Sequence, residues 1–178
     1  FEDFKIERED TLRYPAFREN DQIAKFDVVI ANPPFSLKNW GHENWINDPF
    51  ERNFAGIPPK SYGDFAWVQH MIISMGYPSG RMGIVLPLGA LFRGAAEARI
   101  RKYLVETDLL DCVIGLGPNL FYGTGISASI LIFRVKKEPS KKNQVLFIDG
   151  SSLYKKGRAQ NYFLPEHGNT ILDIYEKY

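Results

Sequence analysis

The chain has 178 residues, 44% of them apolar and 24% charged, which is one domain's worth of sequence and enough to bury a sizeable core. Its formal charge of +1 argues neither for nor against a polyanionic partner, and leaves the main grip on any nucleic acid to a partner or to another region. A single cysteine excludes a disulfide framework, no apolar run approaches membrane-spanning length, and the opening Phe1-Glu2-Asp3-Phe4-Lys5 is unlike a signal peptide, so a cytoplasmic protein with no membrane contact is expected.

Residues 4–8 alternate apolar and polar and predict a short strand, with Glu9-Asp10-Thr11-Leu12 as a turn after it. Residues 13–25 read as a connecting loop with a helical turn. Phe26-Asp27-Val28-Val29-Ile30-Ala31 then predicts a buried strand, stopped by Pro33-Pro34. From Ser36 to Lys60 the chain is rich in Trp, Asn, Gly and Pro without period. Its aromatics either pin the loop to the surface or make it a lid or wall beside the turn at Asn32. Ser61-Tyr62-Gly63-Asp64 has the form of a capping box and opens an amphipathic helix running to Met75 and closed by Gly76. Strands follow at 81–87, 109–116, 127–135 and 145–148, with helices over 95–106 and 170–178. Strands alternating with helices predict an α/β fold, a mostly parallel sheet with helices on its faces. The strands at 109–116 and 127–135 are joined by a ten-residue loop without a helix, so they are expected as an antiparallel terminal pair.

Asn32 falls at the carboxyl end of a strand, the edge of an α/β sheet where ligands bind, and two prolines fix the backbone after it. Asn32-Pro33-Pro34-Phe35 in this setting resembles the catalytic motif of amino-group methyltransferases that use S-adenosylmethionine. These include adenine-N6 and cytosine-N4 DNA enzymes and some protein-glutamine enzymes. An exocyclic amine is a poor nucleophile because its lone pair is delocalised into the ring. Accepting both its hydrogens, on the Asn32 side-chain oxygen and the Pro33 carbonyl, would free that lone pair for in-line attack on a methyl group. Phe35 would stack on a base turned out of the duplex. The plainer reading is a stiff turn with Phe35 in the core. Glu9-Asp10-Thr11-Leu12 resembles the acidic motif whose Asp receives the cofactor's adenine amine, which assigns Asp10 to S-adenosylmethionine; a solvated acidic turn is the other reading.

Further segments carry a more specific resemblance: 58–71, 83–94, Ile100-Arg101-Lys102, 113–126, 145–149 and Lys156-Gly157-Arg158-Ala159-Gln160-Asn161. In that order they resemble the modification (M) subunit of type I restriction-modification systems, the N6-adenine DNA methyltransferase family. The resemblance implies a Rossmann-like methyltransferase sheet and methyl transfer from S-adenosylmethionine to the N6 amine of a flipped adenine in double-stranded DNA. It also implies a specificity subunit and a restriction subunit as partners. Asp64 and Phe65 at a helix start would face the active-site mouth, unless Asp64 only caps. Asn119, Phe121 and Tyr122 in the glycine-rich stretch at 115–125 would contact the target strand, unless that stretch is merely a flexible connection.

The glycine loop that holds the methionine part of the cofactor is not found in the sequence, nor is the helical domain that precedes it in the family. Residues 1–178 are therefore expected to be the carboxyl-terminal part of a methyltransferase domain, inactive alone and prone to self-association through an exposed sheet edge. Glutamine methylation and a non-catalytic assembly or DNA-binding role are the alternatives. Cys112 inside an apolar strand speaks against a cysteine nucleophile. His42, His70 and His167 share no ligand spacing, so no metal site is expected. The lysines at 136, 137, 141 and 142 read as solvated.

Overall fold

The computed structural model describes residues 4–178. A short hairpin, β1 (Arg18–Glu19) and β2 (Gln22–Ile23), precedes a sheet of β3 (Val28–Ala31), β4 (Arg81–Pro87), β5 (Leu110–Leu116), β6 (Ala128–Arg134) and β7 (Leu146–Gly150). The sheet order is β3-β4-β6-β5-β7. β3 runs parallel to β4 and β5 parallel to β7, while β6 is antiparallel to both its neighbours. One strand thus opposes four, which makes the sheet mostly parallel. The expected antiparallel pair is β5–β6, although β6 lies inside the sheet and β7 extends it beyond β5.

Alternation along the strands sends side chains to two cores. Met82, Ile84 and Leu86 of β4, Val113 of β5 and Phe133 of β6 pack with Phe65 and Val68 of α1 (Asp64–Ile73) and with Ile100 and Leu104 of α2 (Ala95–Glu106). Cys112, Ile114 and Leu116 of β5 and Ile148 of β7 pack on the other face with Ile171 of α3 (Pro165–Lys177). A bulge at Asp111 turns that buried carboxylate to Arg134 and to the Tyr175 hydroxyl, which donates to it at 2.6 Å, tying α3 to the sheet.

Several expectations need correction. Residues 4–8 form no strand; Phe4 and Ile6 are exposed, with no described strand beside them to share hydrogen bonds. Residues 13–25 hold the β1–β2 hairpin rather than a helical turn, because Asn20 and Asp21 take positive φ (49° and 61°), as a two-residue hairpin turn requires. The strand after Phe26 is an edge strand rather than a buried one: Val28 is 51% and Ile30 80% exposed. The capping box does not form; Gly63 is the N-cap of α1 without a side-chain bond. α3 begins at Pro165 rather than at Thr170, since proline at the first position loses no hydrogen bond and its φ suits a helix.

The segment 36–60 is pinned rather than a free lid. It contains a 3-10 turn (His42–Asn47), and Trp40 and Trp45, both essentially unexposed, pack edge to face against each other and onto Leu12 and Ala66.

Candidate active site

The four co-directional strands β3, β4, β5 and β7 bring their carboxyl ends to one edge of the sheet, the usual ligand edge of open α/β folds. Asn32-Pro33-Pro34-Phe35 leaves β3 there, and the loop between β5 and β6 rises opposite. Between them lies a cleft of about 510 Å³, lined on one side by Asn32 through Ser36 and on the other by Phe121, Tyr122, Thr124 and Ile126. Phe35 and Phe121 meet across it edge to face, ring centroids 5.7 Å apart. Tyr122 is almost wholly exposed at the rim. All four residues of the motif therefore face one opening. Neither the Asn32 carboxamide nor the Pro33 carbonyl has a hydrogen-bond partner among the described residues.

What fixes this corner is a carboxylate behind it. Ser36, in the left-handed region at φ 50°, donates its backbone N–H to Asp64 Oδ1 at 2.8 Å. Asp64 has no exposed surface, and its other oxygen takes Arg93, which also reaches the buried Glu97 at 2.5 Å. The Arg93 guanidinium lies 4.3 Å over the Tyr62 ring. Asp64 thus neither caps α1 nor opens into the mouth of the site. Phe65 beside it is a core residue at 0% exposure, not a mouth residue.

Asp10 lies on the other side of the proline corner. A depression of about 530 Å³ is lined by Arg8 through Thr11, Pro34, Leu37 and Trp67. The Asp10 carboxylate accepts the Arg13 backbone N–H at 3.1 Å and its guanidinium at 2.8 Å, leaving acceptor capacity toward the depression. The Trp67 indole N–H is buried and has no acceptor among the described residues. The acceptor capacity of the Asp10 carboxylate fits the amine of an adenine ring, so this residue suits one wall of a nucleoside site. Pro34 lines both this depression and the cleft.

A family model described as N-6 DNA Methylase matches residues 1–178. The chain belongs to that family. It is 33% identical to the type I restriction enzyme MjaVII methylase subunit of Methanocaldococcus jannaschii over 99% of its own length and 31% of that protein's. With the MpnII methylase subunit of Mycoplasma pneumoniae it shares 36% identity over 84% of this chain and 27% of the other. The structure of the type I restriction-modification methyltransferase subunit from Streptococcus thermophilus superposes with a TM-score of 0.82 at 38% identity, covering 93% of this chain and 34% of that one. The N-6 DNA methylase chain described here therefore spans about a third of the length of these relatives, and its sheet is that of a methyltransferase subunit.

Other candidates fall away from this cleft. Burial pushes the Cys112 thiol up to about 12, so no thiolate nucleophile forms. His42, His70 and His167 stay apart, and among the described residues no three metal-ligating side chains cluster. Asn119 does not line the cleft: its amide donates to the Ala159 carbonyl at 3.0 Å and its own carbonyl accepts from Asn161 N–H. Sequence reasoning missed Thr124 and Ile126 as cleft residues and Trp67 beside Asp10; nothing in their spacing marks them. No helix is long and apolar enough to cross a membrane, as far as the described residues go.

Proposed function

We propose that this chain forms the catalytic corner of a DNA methyltransferase acting on the N6 amine of adenine, the modification subunit of a type I restriction-modification system. The observation that carries the reading is Asn32, exposed and without a hydrogen-bond partner at an aromatic-walled cleft, followed by Pro33, whose carbonyl is also without a partner among the described residues. Two acceptors at that corner match the two hydrogens of an exocyclic amine. Holding both draws the nitrogen toward tetrahedral geometry and frees its lone pair. After transfer one of those protons leaves to solvent through the open cleft. No strong base is required, in keeping with a site that lacks histidine. Phe35, Phe121 and Tyr122 take the faces and edge of the flipped base. Planar aromatic walls suit a base better than the aliphatic side chain of glutamine.

S-adenosylmethionine, when bound, supplies an electrophilic methyl on a sulfonium sulfur. On this chain Asp10 would accept its adenine amine, with Trp67 in the same wall. The wall that holds its methionine end belongs, in this reading, to a preceding part of the same catalytic domain, which would lie along the open edge of β3. Without it Val28 and Ile30 stay bare, and the isolated chain would associate with itself through that edge. Its partners are double-stranded DNA and the specificity and restriction subunits of the system.

The test is methylation of unmethylated duplex DNA by the full-length protein with its specificity subunit, followed by nucleoside mass spectrometry. N6-methyladenine is the expected product. N4-methylcytosine, or methyl groups on protein glutamine and none on DNA, would overturn the reading.

A further inference from the structure

The hairpin that follows β7 has no part in the chemistry described so far, yet it is clipped to the loop that walls the cleft. Lys155 and Tyr162 exchange both backbone hydrogen bonds at 2.9 Å and close a six-residue loop between them. The loop is clipped to the segment that carries Phe121 and Tyr122 by four bonds. Asn161 N–H donates to the Asn119 carbonyl at 2.9 Å and its amide to the Pro118 carbonyl at 2.8 Å. The Gln160 amide donates to the Leu120 carbonyl at 2.9 Å, and Asn119 to Ala159 at 3.0 Å. Gly157 makes the turn possible: a Cβ there would fall 2.0 Å from the Gln160 carbonyl oxygen.

This rigid hairpin carries Lys155, Lys156 and Arg158, all exposed and none in an ion pair among the described residues. No acidic residue occurs between Asp149 and Glu166. Lys137 and Lys141, by contrast, are engaged: Lys137 is buried on Asp108 at 2.7 Å, and Lys141 lies over the Tyr178 ring. Three unpaired cations on a pinned turn, on the same sheet edge as the cleft, are a surface matched to a run of phosphates.

We propose that this hairpin is a phosphate clamp for the DNA strand that enters the cleft, with Lys155, Lys156 and Arg158 gripping the backbone beside the extruded base. It rests on the reading of the cleft as a base pocket. Contacts of this kind hold register and carry no sequence information, so they serve cognate and non-cognate DNA alike.

The experiment is DNA binding by the full-length protein in its native assembly, across a salt series, for wild type and a Lys155→Ala/Lys156→Ala/Arg158→Ala variant. A Lys136→Ala/Lys142→Ala variant is the control. The clamp predicts affinity about tenfold or more weaker at low salt on any duplex, and a log K against log salt slope shallower by about 2 to 3, from about 0.9 per phosphate contact. The control keeps the wild-type slope, and the charge-preserving Lys155→Arg/Lys156→Arg/Arg158→Lys variant restores it, which separates lost charge from lost folding. An unchanged slope, or an equal loss in the control, overturns the clamp while wild-type adenine methylation leaves the function standing. Absence of N6-methyladenine together with the slope change would overturn the function and leave the clamp.

Discussion

Ser36 is the hinge on which the corner turns, and its N–H is held by a carboxylate that solvent does not reach. Removing that carboxylate leaves a buried Arg93–Glu97 pair short of one acceptor and frees the turn that carries Asn32. Asp64→Ala is expected to lower the rate of methyl transfer by about 10- to 100-fold with little change in DNA affinity, the penalty of misplacing a reactive group by roughly an ångström. Asp64→Asn keeps an acceptor for Ser36 but not the charge for Arg93, and should recover part of the rate; single-turnover kinetics read both. Cys112, fully buried with its thiol pushed up to about 12, is expected to resist thiol reagents until the protein unfolds. The position of Asn32 at the end of β3 could be read from the sequence because an apolar run and two prolines fix where the strand stops. Asp64 was misread because one residue type at a helix start serves either a cap or a distant amide, and spacing does not say which donor it takes.

The 36–60 segment behaves as a folded element because its buried polar groups are satisfied, within it and by the 11–12 backbone. Arg52 and Asp48 are both buried and paired at 2.7 Å, and Arg52 also donates to the Thr11 and Leu12 carbonyls. Asp48→Ala leaves an unpaired buried guanidinium and is expected to cost about 3 to 5 kcal/mol in chemical denaturation. His70 lies against this pair, with Nδ1 3.4 Å from Arg52. Burial first, and the Arg52 charge second, lower its pKa from 6.5 to about 4. Below 6.5 the unfolded chain binds a proton that the folded chain refuses until about 4, so stability falls as pH drops through that window. The loss is on the order of 3 kcal/mol at most. Thermal denaturation between those pH values should show it, and His70→Gln should flatten the slope. The strands and α2 were readable from apolar runs and period. The β1–β2 hairpin was not, since Asn20-Asp21 is a weaker turn signal than a glycine pair. Nor was the start of α3, where Leu164 N–H donates to the His167 ring and a histidine does the capping.

Across the sheet, chemistry is confined to one rim and incompleteness to one side. The parallel strands bring the Asn32 corner, the aromatic loop and the basic hairpin to the same rim, over a width of about 19 Å for four strand spacings. β3 closes the opposite side with Val28 and Ile30 uncovered. On the proposed reading that edge seeks a strand, so sedimentation of residues 1–178 alone should give species larger than 20.4 kDa, and Ile30→Lys should move them toward monomer. A monomer at all concentrations would argue against an edge that needs covering. The sheet's direction was readable because helices separate parallel strands. The exposure of β3 was not, because burial of a strand depends on neighbours that its own residues do not name.

The most direct measurement is the single-turnover rate of methyl transfer to duplex DNA by the full-length protein and by its Asn32→Ala variant, with S-adenosylmethionine affinity determined on both. The chemical step is expected to slow by about 10²- to 10³-fold, the usual loss when one group that stabilises the reacting centre is removed, with cofactor affinity unchanged. An Asn32→Ala protein that transfers methyl groups at the wild-type rate would contradict the role given to Asn32.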